Sequence, residues 1–314
     1  MIILSRSLCE DREKAAMPGP SIHETRRPDR RSGATEVDAA PMALVRRHDR
    51  DRFQTALFAP PRQRQALFAL YAFNYEVARV REIVTEPMLG QIRLQWWREA
   101  IAAAFAGNAS RRHEIVLPLT AAIRDFGLSR EPFDRLIDTR ERDLADTPPE
   151  TMAALGAYAE GTSANLVVLA LEILEVRAAE VAAAARGVGI GYALAGLIRA
   201  LPFHAIAGRS YIPADVAARH GIDPREYETR RAGAGLRAAV AEVAAAARQQ
   251  LDAARRKRGA VPRAALPAML PAVVASRFLG RLERAGYDPF DPRLAVPDTL
   301  QSWRLAAAAL LNRW

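Results

Sequence analysis

A single cysteine, Cys9, stands in 314 residues, so one chain can build neither a disulfide framework nor a cysteine-based metal site. That fits a reducing compartment. The longest nearly uncharged stretch, Gly187 to Ile198, is bounded by Arg186 and Arg199 and falls short of the roughly 20 apolar residues that span a bilayer; no transmembrane segment is expected. The opening apolar run is too short for a secretory signal, and Glu10, Asp11 and Glu13 are the wrong charge for an organellar transit peptide. A cytoplasmic location follows as the expectation, with peripheral attachment to the inner face of the cell membrane left open. Zinc-finger spacing and aromatic-rich RNA-binding signatures are missing, and the basic residues are scattered, which argues against nucleic acid as a partner. Internal repeats and runs of β-branched alternation are lacking as well, which disfavours solenoids and sheets.

What is present is half hydrophobic by composition, with a net charge of +9. The positive excess is nearly all arginine and alanine is very frequent, the pattern of a GC-rich coding sequence; a phosphorylated or anionic-lipid ligand is the sharper reading of the same charge. The densest basic run, Arg255 to Arg258, precedes Gly259 and reads as a solvated helix end. Residues 1–41 mix both charge signs with Pro18, Pro20, Pro28, Gly19 and Gly33 and carry no apolar period, so a disordered tail is expected there, with Met42 as an alternative translation start.

Residues 42–314 read as one helical domain. Alanine- and leucine-rich stretches are broken by Pro60-Pro61, Gly107, Gly127, Pro148-Pro149, Gly208 and Gly221. Helices are expected over 43–57, 61–84, 87–106, 113–126, 130–144, 151–173, 177–206, 213–219, 232–257, 263–285 and 297–312, with Ser129 as an N-cap and Pro132 in the first turn behind it. The fold class is all-α.

Three blocks carry more. The first joins Ala66-Leu67-Phe68-Ala69-Leu70-Tyr71-Ala72-Phe73 to Leu94-Gln95-Trp96-Trp97-Arg98-Glu99. The second joins Phe133-Asp134-Arg135-Leu136-Ile137-Asp138 and Asp143-Leu144 to Tyr158-Ala159-Glu160-Gly161-Thr162-Ser163-Ala164-Asn165. The third runs from Leu197-Ile198-Arg199-Ala200-Leu201-Pro202-Phe203-His204 to Gly208-Arg209-Ser210-Tyr211-Ile212-Pro213. In order and at this spacing they resemble the squalene/phytoene synthase family. The resemblance implies an isoprenoid (prenyl-diphosphate) synthase fold, a single helical bundle around a central apolar cavity. It also implies head-to-head condensation of two prenyl diphosphates, with Mg²⁺ held by Asp-x-x-x-Asp pairs on two facing helices. Acids four residues apart stack on one helical face, which is what a shared cation needs.

In the register set by Tyr71-Ala72-Phe73, the first pair becomes Ala78 and Glu82; Glu76, two positions earlier, projects about 200° round the helix. Arg199 sets the second register, where the pair becomes Ala200 and His204. Imidazole suits Zn or Fe better than Mg²⁺, and Pro202 between the two positions is expected to kink the backbone. Metal and cofactor are therefore not expected, Glu82 being the one weak ligand candidate, and Mg²⁺ enters only with an active enzyme. Tyr71, Arg79, Arg199, Arg209 and Tyr211 are the candidates for gripping a diphosphate or lipid, since guanidinium binds phosphate without a metal. Of the adjacent Trp96 and Trp97, at most one can face a channel.

The string Arg-Ala-x-Pro-x-His, with Phe73-Asn74 following Tyr71-Ala72, resembles the branch of mitochondrial complex I assembly factor 6. That resemblance implies a non-catalytic, isoprenoid-synthase-like factor that supports respiratory complex I assembly, with a complex I subunit or assembly intermediate as partner and a prenyl diphosphate or lipid as cavity ligand. The alternative is an active phytoene or squalene synthase-like transferase.

Overall fold

The structure, a computed structural model, describes residues 30–108 and 113–314. Its elements follow the alanine and leucine periodicity closely. The chain begins with α1 (Arg30–His48), α2 (Arg50–Ala56), α3 (Pro61–Ala78), α4 (Val80–Ile83), α5 (Pro87–Phe105) and α6 (Val116–Phe126). Then come α7 (Glu131–Arg140), α8 (Met152–Ala159), α9 (Asn165–Ile173), α10 (Ala179–Ile206), α11 (Ala214–His220) and α12 (Arg225–Thr229). The C-terminal third holds α13 (Ala234–Arg256), α14 (Leu266–Met269), α15 (Pro271–Arg284), α16 (Pro292–Ala295) and α17 (Gln301–Leu310). No strand occurs among the described residues.

Helices α3 and α10 are apolar on nearly every side, the mark of helices enclosed by others. Every residue from Ala66 to Tyr75 is buried, and α10 is wrapped by α8, α9, α13 and α15. Glycine permits the closest of these approaches. A Cβ on Gly189 would stand 2.5 Å from the Ala164 Cα, and one on Gly191 would stand 2.9 Å from the Ala247 carbonyl oxygen of α13. α13, α15 and α17 are amphipathic and bury one stripe each.

Several expectations are corrected. α1 begins at Arg30, ahead of the anticipated onset, and carries Pro41 inside it; residues 1–29 lie outside the described residues. The helix expected over 61–84 breaks at Arg79, and the one expected over 263–285 breaks at Leu270, where Pro271 opens the next helix. Between α8 and α9 the chain widens into one π turn, Glu160–Ala164. Ser129 does not cap α7: its hydroxyl donates to Glu172 Oε1 at 2.7 Å and its N–H donates to Oε2 at 2.8 Å. Pro202 leaves α10 continuous to Ile206.

The apolar character of the chain's middle also exceeds what an uncharged-run search revealed. Met152–Ile173 and Ala179–Ile206 are long and apolar enough by length and composition to cross a membrane, which corrects the expectation that no segment qualifies. Their most apolar windows are 72% and 78% buried inside the bundle, so the neighbouring helices cover in this fold the surface that lipid would cover in a span. The bent pair Arg263–Met269 and Pro271–Arg284 passes the same test jointly.

Candidate functional site

Two polar clusters flank α10, and the helical repeat decides which residue serves which. Arg199 and His204 are five residues apart, about 140° round the helix, so they look into different surroundings.

On the first side lies a buried network centred on Asp143. Its Oδ2 accepts from Arg140 Nη1 at 3.0 Å and from the Tyr158 hydroxyl at 3.1 Å, while its Oδ1 accepts from the Tyr211 hydroxyl at 2.7 Å. Arg140 also donates to the Tyr158 oxygen at 2.7 Å. Burial works against the Arg140 charge, but Tyr158 and Asp143 outweigh it and raise the pKa. Tyr211 is pushed up by burial, then by Tyr158 and Asp143. The network is assembled from distant segments. Asp143 sits in the single 3₁₀ turn that closes α7. The loop before α8 is tied to the start of α11 by Ala214 N–H donating to the Pro149 carbonyl and Asp215 N–H to the Glu150 carbonyl, which brings Tyr211 over Asp143. A cleft of about 360 Å³ opens here, lined by Asp143, Thr147, Pro148, Glu150, Tyr158 and Tyr211 among others.

His204 adjoins this network, 2% exposed, its ring 4.8 Å from that of Tyr211. Neither ring nitrogen has a hydrogen-bond partner among the described residues. Burial first, then Arg209, pushes its pKa down to about 4, so the ring is neutral at physiological pH. Arg209 is returned toward it by Gly208, whose φ of +67° reverses the chain as Arg209 N–H donates to the His204 carbonyl. Glu82, on α4, stands at the edge of the same group, exposed on one side and crowded on the other. Burial raises its pKa, and Arg209 and Arg140 pull in the opposite direction.

On the second side, Asp51 accepts from Arg199 at 2.9 Å, from the Tyr192 hydroxyl at 3.2 Å and from Gln301 at 2.9 Å. Burial alone would raise Asp51; Arg199, Gln301 and Tyr192 outweigh it and hold the carboxyl below its usual range. Arg52, ion-paired with Asp49 at 2.9 Å, lies over the rings of Tyr71 and Tyr192. A larger cleft of about 520 Å³ opens beside Asp51 and Arg199, between α10, α15 and the C-terminal helices.

The structure thus brings Glu82, His204, Arg209 and Tyr211 into one neighbourhood, with Ala200 buried on the same helix and Ala78 at the end of α3. It does not bring Tyr71, Arg79 or Arg199 there. Arg79 turns to the Tyr75 hydroxyl, at 3.3 Å, and to Glu76, at 3.6 Å. Tyr71 sits under Arg52, and Arg199 is committed to Asp51. Of the paired tryptophans, Trp97 is buried and Trp96 half-buried, and both meet the ring of His113. Arg140, Asp143, Tyr192 and Asp51 were missed as site residues. The alternating charges Asp49-Arg50-Asp51-Arg52 just before an apolar helix face were the available signal for the second cluster.

The donor set does not fit Mg²⁺. Among the described residues no three His, Cys, Asp or Glu side chains converge as ligands. Asp143, which acts electrostatically on both Glu82 and His204, has both oxygens engaged by Arg140, Tyr158 and Tyr211, whereas a hard divalent cation needs several free oxygens.

A family model described as Squalene/phytoene synthase matches residues 45–304. NADH dehydrogenase (ubiquinone) complex I, assembly factor 6 of Rattus norvegicus is 31% identical over 270 residues, 84% of this chain and 81% of that protein. Presqualene diphosphate synthase of Rhodopseudomonas palustris is 29% identical over 178 residues, 55% of this chain and 63% of that one. The crystal structure of squalene synthase HpnC from Alicyclobacillus acidocaldarius superposes with a TM-score of 0.72 at 24% identity, covering 82% of this chain and 97% of that one, and the shared fold is the all-α isoprenoid synthase fold. The helical order, the three motif blocks and a family match over most of the chain agree: this protein belongs to the squalene/phytoene synthase family.

Proposed function

We propose that this chain is a non-catalytic member of its family that supports assembly of respiratory complex I at the inner face of the cell membrane, with a complex I subunit or assembly intermediate as its partner. The observation that carries the reading is the state of the family's cation site. In the register that the family resemblance implies, Ala78, Ala200 and a neutral, buried His204 take the acid positions, and Asp143 is consumed by an internal arginine and two tyrosines. A diphosphate leaving group needs its charge met by divalent ions, and among the described residues no three His, Cys, Asp or Glu side chains converge to hold one. The alignment with assembly factor 6 over 84% of the chain supports the direction of the reading.

A deletion strain tests it through two readouts, the NADH dehydrogenase activity of its membranes and its content of carotenoids or hopanoids. Loss of the first alone is expected. Loss of the second with respiration intact would overturn the reading in favour of an active head-to-head prenyltransferase. That alternative draws its support from the 29% identity to a presqualene diphosphate synthase over 178 residues.

A further inference from the structure

The C-terminal helix buries one stripe, and its outward side carries exposed apolar residues beside Gln301, Ser302 and Arg304. Leu305 and Ala309 are buried beneath it, while Ser302, Trp303, Ala306, Ala307, Leu310 and Leu311 face outward without a single charge. Trp303 is 75% exposed and Leu310 76%, and Val296 and Leu300 just before the helix are exposed as well. An outward apolar strip of this kind is unusual on a chain that is 26% charged, and such patches mark surfaces meant to be covered. No acid occurs from Thr299 to Trp314, whereas Arg304 and Arg313 do.

The strip adjoins the 520 Å³ cleft. Val296 both lines that cleft and is exposed beside it, and Arg304, the neighbour of Trp303, lines it too. Five arginines line the cleft, Arg50, Arg199, Arg277, Arg281 and Arg304, against two acids, Asp51 and Asp298. Both acids are already engaged, Asp51 by Arg199 and Asp298 by Arg304 and Arg277. Arg281 donates to the backbone carbonyls of Arg293 and Val296 and has no carboxylate partner among the described residues. The remaining lining is largely apolar, including Val274, Phe278, Leu294 and Leu305.

We propose that this face docks on a bilayer and takes an anionic phospholipid, its phosphate against the cleft arginines and its acyl boundary against Trp303, Leu310 and Leu311. Tryptophan and leucine beside arginine is the composition of a helix lying in the interfacial plane, and guanidinium groups take a phosphate bidentately. A second copy of the chain fits worse, because a two-fold contact would set the same arginine-rich cleft against itself. A nucleic acid would leave the leucines in water. The proposal deepens the reading of a membrane-surface location and does not depend on the complex I role.

The test is flotation of the full chain with two sets of vesicles, phosphatidylcholine alone and phosphatidylcholine mixed with phosphatidylglycerol. Binding to the mixed vesicles alone, weakening as salt rises, is expected. Trp303→Ser with Leu310→Ser should lower the affinity at least about tenfold through lost apolar burial. Arg50→Gln with Arg281→Gln should lower it about thirtyfold through lost attraction to anionic lipid. Trp303, Leu310 and Arg50 are exposed and Arg281 is half-buried, and urea unfolding of each double variant confirms that it folds. Ile92→Ser, on the exposed apolar patch of α5, is the control and should bind as the parent does. Absence of binding to either vesicle, or equal binding to both, would overturn the proposal. Binding lost in Ile92→Ser but kept in both double variants would leave a membrane location standing and refute this site. A dimer broken by Trp303→Ser with Leu310→Ser, without vesicle binding, would assign the face to a second copy.

Discussion

Lowering the pH should destabilise this protein through His204. The ring is 2% exposed and its nitrogens have no partners among the described residues, and its pKa falls from 6.5 to about 4. An unfolded chain takes up the proton below pH 6.5, while the folded chain refuses it until about pH 4. The stability held above the unfolded value is therefore lost as pH drops through that window. Linkage gives about 2 kcal/mol between pH 7 and pH 5 and about 3 kcal/mol over the full window. Glu82 and Glu76, both shifted upward by burial, act with the opposite sign toward the acid end, so the comparison is made against His204→Leu. Urea unfolding at pH 7 and pH 5 reads both proteins. The parent should lose about 2 kcal/mol more than the variant over that interval. An equal loss in both would refute the buried, neutral ring.

Three further changes probe the packing and the two networks. Gly189→Ala places a methyl 2.5 Å from the Ala164 backbone and should cost about 1–3 kcal/mol by overpacking, read from the urea midpoint; a neutral result would contradict the close approach of α10 to the π turn. Asp143→Ala strands the buried Arg140 and should cost about 3–5 kcal/mol, whereas Arg140→Met combined with Asp143→Leu should recover most of that loss, because removing both charges spares the desolvation penalty. Arg199→Ala leaves Asp51 without its cation and should lower stability by about 2 kcal/mol while moving the Asp51 pKa upward, measurable by carboxylate NMR titration; an unchanged titration would show that Arg199 is not its partner.

Much of the fold was legible because helix boundaries rest on local chemistry. Pro60-Pro61 and Pro148-Pro149 stop helices by removing donors. Gly127 and Gly221 end α6 and α11 at φ of +58° and +59°, where other residues are strained. What escaped were events that depend on tertiary contact. The break at Arg79, the π turn after Ala159 and the short helices α12 and α16 have no periodicity long enough to announce them. Ser129 reads as a cap until Glu172, 43 residues away, claims its hydroxyl and its N–H.

The site was legible in part for a related reason. Alignment along one helix fixed Ala200 and His204 relative to each other, but not which helices Arg199 would meet on the other side of α10. Asp143 lay within a motif block already singled out, yet its partner Tyr158 is 15 residues away and its partner Tyr211 is 68. Charge alternation in Asp49-Arg50-Asp51-Arg52 does not say which charges turn inward; only the fold turns Asp49 and Arg52 to the core and Asp51 to Arg199.

The most direct measurement is pyrophosphate release by the purified chain from farnesyl or geranylgeranyl diphosphate in the presence of Mg²⁺. With Asp143 locked by Arg140, Tyr158 and Tyr211 and a neutral His204 beside it, release should not rise above the protein-free rate. Sustained Mg²⁺-dependent release that disappears in Glu82→Gln would contradict the account.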